Sequence, residues 1–263
     1  MRTNLRDYEM EYEDKGNGIP LIFIHGYPLN KTMWEAQLQA LSTVARVITP
    51  DLRGHGGSEP VQETYTMRSM AKDIKELIEN LNIEQPVVLC GLSMGGYICF
   101  EFMRNYSNMV KGMILAATRA TADSIEVKVN REEAVAIALE KGPLAIANMM
   151  LPKMLATATY AQKPALVERV RNIMVNTSTQ AIVGDLRGML NREDSTSLLK
   201  EIDIPVLILH GAEDQIIPKS EVDLMKNGIK NVKLQIIPAA GHLLNIEQPD
   251  LFNKAVRNFI QAL

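Results

Sequence analysis

The chain has 263 residues, 46% of them hydrophobic and 22% charged, a length and mix that suit one globular α/β domain. Its formal net charge is −3 with both signs interspersed, so no basic stripe points to nucleic acid or to an anionic membrane surface. Two cysteines, Cys90 and Cys99, are too few for a disulfide framework and are expected to be reduced thiols of the core.

The opening residues carry no apolar stretch of the kind a secretory signal needs. No uninterrupted run of about 18 apolar residues follows, so no membrane span is expected and the expected location is the cytoplasm. Residues 5–12 read as an antiparallel edge strand. Short apolar runs then recur at 21–24, 44–49, 87–90, 113–117, 206–209 and 234–237. These runs are continuous rather than alternating, which predicts strands covered on both faces, as in a parallel sheet. Residues 67–81 and 250–263 carry apolar positions at helical spacing, and a further helix is expected over 97–105. Strand and helix taking turns predict βαβ units with right-handed crossovers.

One region breaks that alternation. From about 120 to 199 no strand pattern occurs, and helical periodicity runs through 132–141, 143–155, 163–177 and 179–190. A segment this long is neither a crossover nor a loop. It is expected to be a helical lid inserted into a single 1–263 domain, above the strand ends where open α/β sheets bind ligands.

The most informative stretch is Val87-Val88-Leu89-Cys90-Gly91-Leu92-Ser93-Met94-Gly95-Gly96. An apolar strand runs into Gly-x-Ser-x-Gly, and a helical pattern follows. A serine on so sharp a strand-to-helix turn is strained, and side chains two positions either side would collide, so glycine belongs there. The turn presents the Ser93 hydroxyl at a helix N-terminus, where negative charge is favoured.

A serine hydroxyl needs a base, usually a histidine held by a carboxylate, and behind such an elbow the chain order is serine, acid, histidine. Only four histidines exist: His25, His55, His210 and His242. Of the two that follow Ser93, His210 closes a strand and is expected to stabilise a turn. His242 lies beyond the last strand, in a loop able to hang over the sheet edge. The acid belongs after the penultimate strand, where Glu213 and Asp214 are adjacent; Asp214 is nearer the turn that starts the next helix. Asp123, after the preceding strand, is a rival acid, and its alternative role is pairing with Arg119 at a hinge. For a developing oxyanion the amides of Met94 and Tyr27 are the expected donors, because Pro28 has no N–H. His25 is expected to brace that loop.

These segments resemble the α/β-hydrolase superfamily, in particular small carboxylesterases, 3-oxoadipate enol-lactonase-like hydrolases and cofactor-free haloperoxidase or perhydrolase relatives. The matching motifs are His25-Gly26-Tyr27-Pro28, Asp51-Leu52-Arg53-Gly54-His55-Gly56-Gly57-Ser58, Gly91-Leu92-Ser93-Met94-Gly95-Gly96, the acid Asp214 and the base in Gly241-His242. The resemblance implies the α/β-hydrolase fold, a triad of Ser93, Asp214 and His242, and an oxyanion hole from Tyr27 and Met94. It implies a structural turn at Asp51, Arg53 and His55, and a peroxide-favouring or simply stiffening role for Pro28. The implied activity is hydrolysis of small esters, with lactonase or perhydrolase activity on the same triad as alternatives. No cofactor or metal enters that chemistry. The lid residues Ile146, Met149, Met150, Leu151, Met154 and Leu155 suggest an apolar acyl pocket, and Arg119 is a second-choice partner for a substrate carboxylate. The expected partner is thus a small-molecule ester, not nucleic acid or membrane; a non-catalytic ligand binder is the rival class. No oligomeric state follows.

Overall fold

A computed structural model describes residues 1–62 and 65–263. Its strands are β1 (Arg2–Asn4), β2 (Glu9–Lys15), β3 (Pro20–Ile24), β4 (Arg46–Pro50), β5 (Val87–Leu92), β6 (Val110–Ala116), β7 (Val206–Gly211) and β8 (Val232–Ile237). They form one eight-stranded sheet in the order β1-β2-β4-β3-β5-β6-β7-β8. The pairings β1–β2 and β2–β4 are antiparallel; every pairing from β4–β3 to β7–β8 is parallel. The expected edge at 5–12 is therefore a two-strand antiparallel ribbon.

The helices are α1 (Glu35–Leu41), α2 (Met67–Asn80), α3 (Met94–Tyr106), α4 (Ile125–Met154), α5 (Thr157–Gln162), α6 (Pro164–Val175), α7 (Thr179–Leu190), α8 (Lys219–Gly228), α9 (Leu244–Glu247) and α10 (Pro249–Ile260). Alternate residues of each central strand feed opposite layers. Ile22, Ile24, Leu89 and Ile208 pack with α2, α3 and α8, whereas Leu21, Phe23, Cys90 and Leu209 pack with α1 and α10. Both faces are thus dry, which is why these strands read as unbroken apolar runs. Cys90 and Cys99 are free and buried.

The segment between β6 and β7 holds α4 to α7. Ser124 and Ser178 start α4 and α7 by accepting the amides of Val127 and Ala181. Inside α4, Gly142 turns out of helical geometry at φ 73° just before Pro143, so the run consists of two helices meeting at a kink. The expected helix over 163–177 is α6, which Pro164 opens, and the short α5 precedes it outside that range.

By length and composition α4 is apolar enough to cross a membrane, with a mean hydropathy of 1.4 over its best window, although charged residues interrupt every apolar run. The kink divides it into two shorter helices, and it packs on α6 and α7 with 28% of that window buried. Among the described residues it is the one helix that meets that test.

Candidate active site

The parallel strands all point the same way, so the loops that follow β3, β5, β6, β7 and β8 gather at one edge of the sheet. Ser93 stands at the end of β5 with φ 54° and ψ −114°, a left-handed conformation that a residue with a Cβ rarely adopts. Its neighbours hold it there. Ser93 N donates to Ala116 O at 2.9 Å, and Ser93 O accepts from Gly96 N at 2.9 Å and from Thr118 Oγ1 at 2.8 Å. A Cβ on Gly91 would come 2.2 Å from Gly95 O, and one on Gly95 would come 2.2 Å from Ile24 O. The two glycines of the motif are therefore a steric requirement of this turn.

The acid and base come from the next two strand ends. His242 is 2% exposed, in the loop between β8 and α9, and its Nδ1 lies 3.0 Å and 3.2 Å from the two Asp214 oxygens. Asp214 Oδ1 also accepts the amides of Ile216 and Ile217, at 2.8 Å and 3.0 Å. Burial works to raise the Asp214 carboxyl, but His242 and those two amides outweigh it and hold it below its ordinary value. An acceptor this strong assigns the proton to Nδ1, leaving the Nε2 lone pair for a substrate or a hydroxyl. Glu213 points elsewhere: it accepts the Thr157 amide at 3.2 Å. The structure thus brings Asp214 to His242, and it places Ser93 at the same sheet edge. Ser93 Oγ makes no hydrogen bond to His242 among the described residues, and such contacts are often loose before substrate tightens them.

The loop after β3 closes the other side. A Cβ on Gly26 would sit 3.3 Å from Ser93 Cβ, so this loop touches the serine turn directly. Among the described residues the Tyr27 and Met94 amides donate to no backbone acceptor outside the regular elements. His25 accepts the Leu52 amide at Nε2, 3.0 Å, and its Nδ1 lies 3.0 Å from Gly26 O, a neutral brace of the loop as expected. Burial, with His55 beside it, pushes the His25 ring well below its ordinary value, which keeps it uncharged.

The remaining candidates have structural surroundings. Asp123 is held by Arg131 at 2.6 Å, Arg192 at 2.6 Å and Arg119 at 3.2 Å, so it pins the start of α4 rather than reaching His242. Asp123→Ala would leave three guanidinium groups clustered without their anion. It is expected to cost about 3 kcal/mol in urea unfolding and to open 120–199 to limited proteolysis. Arg119 is engaged by Asp123, the blander of its two expected roles. His210 lies 3.8 Å from Asp214, but its Nδ1 has no hydrogen-bond partner, so it braces no turn through that atom.

Two features were not visible in the sequence. His55 and Asp185, both fully buried, meet at 3.0 Å and link the loop after β4 to α7; burial opposes the charge on His55, yet Asp185 holds it above its ordinary value. Glu247 is 1% exposed and receives donors from the start of α5 and from nearby Gly241. Only the position of Glu247 ahead of Pro249, in a helix start, was available as a signal. Among the described residues no His, Cys, Asp and Glu side chains are grouped as metal ligands. A surface cleft of about 620 Å3 between α4, α7 and the loop at Val61 holds none of the residues at this edge.

A family model described as the alpha/beta hydrolase fold matches residues 19–249. Among solved structures, a thermophilic esterase from Thermogutta terrifontis superposes with a TM-score of 0.97 at 36% identity, covering 100% of this chain and 98% of that one. The enol-lactonase from Burkholderia xenovorans LB400 gives a TM-score of 0.92 at 25% identity, over 99% of this chain and 100% of its own. A putative non-heme chloroperoxidase from Synechocystis sp. is 31% identical over 99% of this chain and 98% of its own length.

Proposed function

The chain belongs to the α/β-hydrolase fold family, and from that premise we propose that it is a serine hydrolase cleaving carboxylic esters of small, mainly apolar molecules. The observation that carries this reading is the His242–Asp214 pair, set at the sheet edge where Ser93 is held in a strained turn. In the mechanism, Ser93 Oγ attacks the acyl carbonyl while His242 Nε2 takes its proton. The oxyanion is received by the amides of Tyr27 and Met94. His242 then protonates the leaving alcohol, and water, deprotonated in turn by His242, releases the acid from the acyl-enzyme.

Apolar substrates are favoured by what adjoins the base. The Leu243 amide donates to Met154 O at 3.1 Å, and a Cβ on Gly241 would come 2.6 Å from the Leu155 carbonyl carbon, so the end of α4 lies against the His242 loop. Ile146, Leu151, Met154 and Leu155 are at most 3% exposed and pack into the core, while Met149 is 47% exposed. The apolar wall is therefore chiefly the end of α4, with 120–199 acting as the lid. A lactone is an ester closed on itself, and the enol-lactonase relative makes lactones the second substrate class.

The test is turnover of p-nitrophenyl esters from acetate to laurate, together with small lactones. Turnover with a chain-length optimum supports the reading and sizes the pocket. If no ester or lactone is cleaved and a fluorophosphonate probe fails to label the protein, the reading is wrong and a ligand-binding role replaces it.

A further inference from the structure

Glu247 is a buried acid with no part in the reaction described above. It closes α9, directly after the His242 loop, and its carboxylate collects three donors. Oε1 accepts the Ala156 amide at 2.9 Å and the Thr159 hydroxyl at 2.5 Å, both from the start of α5. Oε2 accepts the Gly241 amide at 2.6 Å, from the residue immediately before the base. All three bonds run toward the carboxyl, the arrangement an ionised carboxylate serves, since it accepts and cannot donate.

The surrounding contacts repeat the connection. The Leu243 amide on the far side of His242 donates to Met154 O at 3.1 Å. Glu213, next to the acid, accepts the Thr157 amide at 3.2 Å, and Lys163 Nζ donates to Glu247 O at 3.0 Å. Both loops that supply the His–Asp pair are therefore tied to the α4–α5 junction, and Glu247 is the one buried charged side chain among these ties. The geometry points to Glu247 as a positioning residue for the reaction: it sets His242 through the Gly241 amide and couples that setting to the docking of the α4–α5 junction. This inference rests on the Ser93–His242–Asp214 reading of the function.

Glu247→Gln tests it. The amide oxygen satisfies either the α5 donors or Gly241, but the NH2 group then meets a donor on the other side. A base displaced by a fraction of an ångström is expected to lower kcat by about 100-fold, with KM changed by less than about 3-fold. Turnover is measured per active site, titrated by stoichiometric fluorophosphonate labelling of the native protein, Glu247→Gln and Ser93→Ala. A positioning role slows turnover at every titrated site. A merely structural role lowers the titrated fraction and leaves kcat per site unchanged, and that result overturns the inference. If the native protein shows no labelling that Ser93→Ala removes, the functional reading fails, and the role of Glu247 fails with it. If Glu247→Gln does not fold, Glu247→Asp carries the same measurement. It keeps the charge and withdraws the oxygens by one methylene, and kcat per site is expected to fall about 10-fold; no fall overturns the inference.

Discussion

Ser93→Ala is expected to lower ester turnover by about a million-fold, the loss seen when a triad nucleophile is removed from an otherwise intact site. The fold should survive. Ser93 Oγ makes no hydrogen bond to His242 in the resting structure, and alanine meets the same backbone strain at φ 54°. Unfolding free energy in urea is expected to change by about 0.5 kcal/mol. Adding His242→Ala to Ser93→Ala should cost little more, because nucleophile and base act as one unit. A Ser93→Ala protein that keeps its turnover and melts like the native one contradicts the assignment, because its chemistry then uses another nucleophile.

Asp214→Asn is expected to cost about 10,000-fold in kcat while leaving the loop in place. Asp214 Oδ1 accepts the Ile216 and Ile217 amides, so the asparagine oxygen belongs at that position. The asparagine NH2 then faces His242 Nδ1, across the 3.0 Å now spanned by Oδ2. A donor there makes Nδ1 the acceptor and moves the ring proton to Nε2, the atom that must take the serine proton. The pH behaviour has a definite sign. The Asp214 carboxyl is held below its ordinary value, so its contribution to stability is full above about pH 4. It is lost as pH falls through the lowered value. Comparing urea unfolding from pH 7 down to pH 2 should show the native protein losing stability that Asp214→Asn never had. An asparagine variant with native kcat would mean that the carboxylate does not orient His242.

The sheet was legible because its central strands are covered on both faces, and short continuous apolar runs such as those in β5 and β7 belong where water reaches neither face. The serine turn was legible because its constraint is local: Gly91 and Gly95 are excluded from having a Cβ by atoms within a few residues or on the adjacent strand. α1 was not anticipated, and of α8 only its start, at the turn of Ile217 and Pro218, was. α1 has seven residues, and α8 opens at Pro218 with few apolar positions to mark its buried face. The kink in α4 was anticipated as two helices, since Gly142 and Pro143 are adjacent, but the extension of its first half back to Ile125 was not.

At the site, the residues that do chemistry were more visible than those that hold them. The choice of Asp214 over Glu213 depends on which carboxyl the turn aims at His242, and the sequence offered only Asp214's position one residue nearer the next helix. Asp123 stood as a rival acid because it follows the preceding strand; its pairing with Arg119, four residues away, was legible, whereas Arg131 and Arg192 reach it only in the fold. The pairs His55–Asp185 and Gly241–Glu247 escaped for a related reason. One joins residues far apart in the chain; the other shows its meaning only once Ala156 and Thr159 arrive beside it.

The central claim is a covalent acyl-enzyme on Ser93. The most direct measurement is intact-mass spectrometry of the native protein quenched in acid during turnover of a p-nitrophenyl ester, followed by peptide mapping. The proposed mechanism predicts a protein mass raised by one acyl group, the group located on the peptide containing Ser93, and an initial burst of p-nitrophenol that matches the enzyme concentration. Turnover accompanied by an acyl group on a different residue would contradict it.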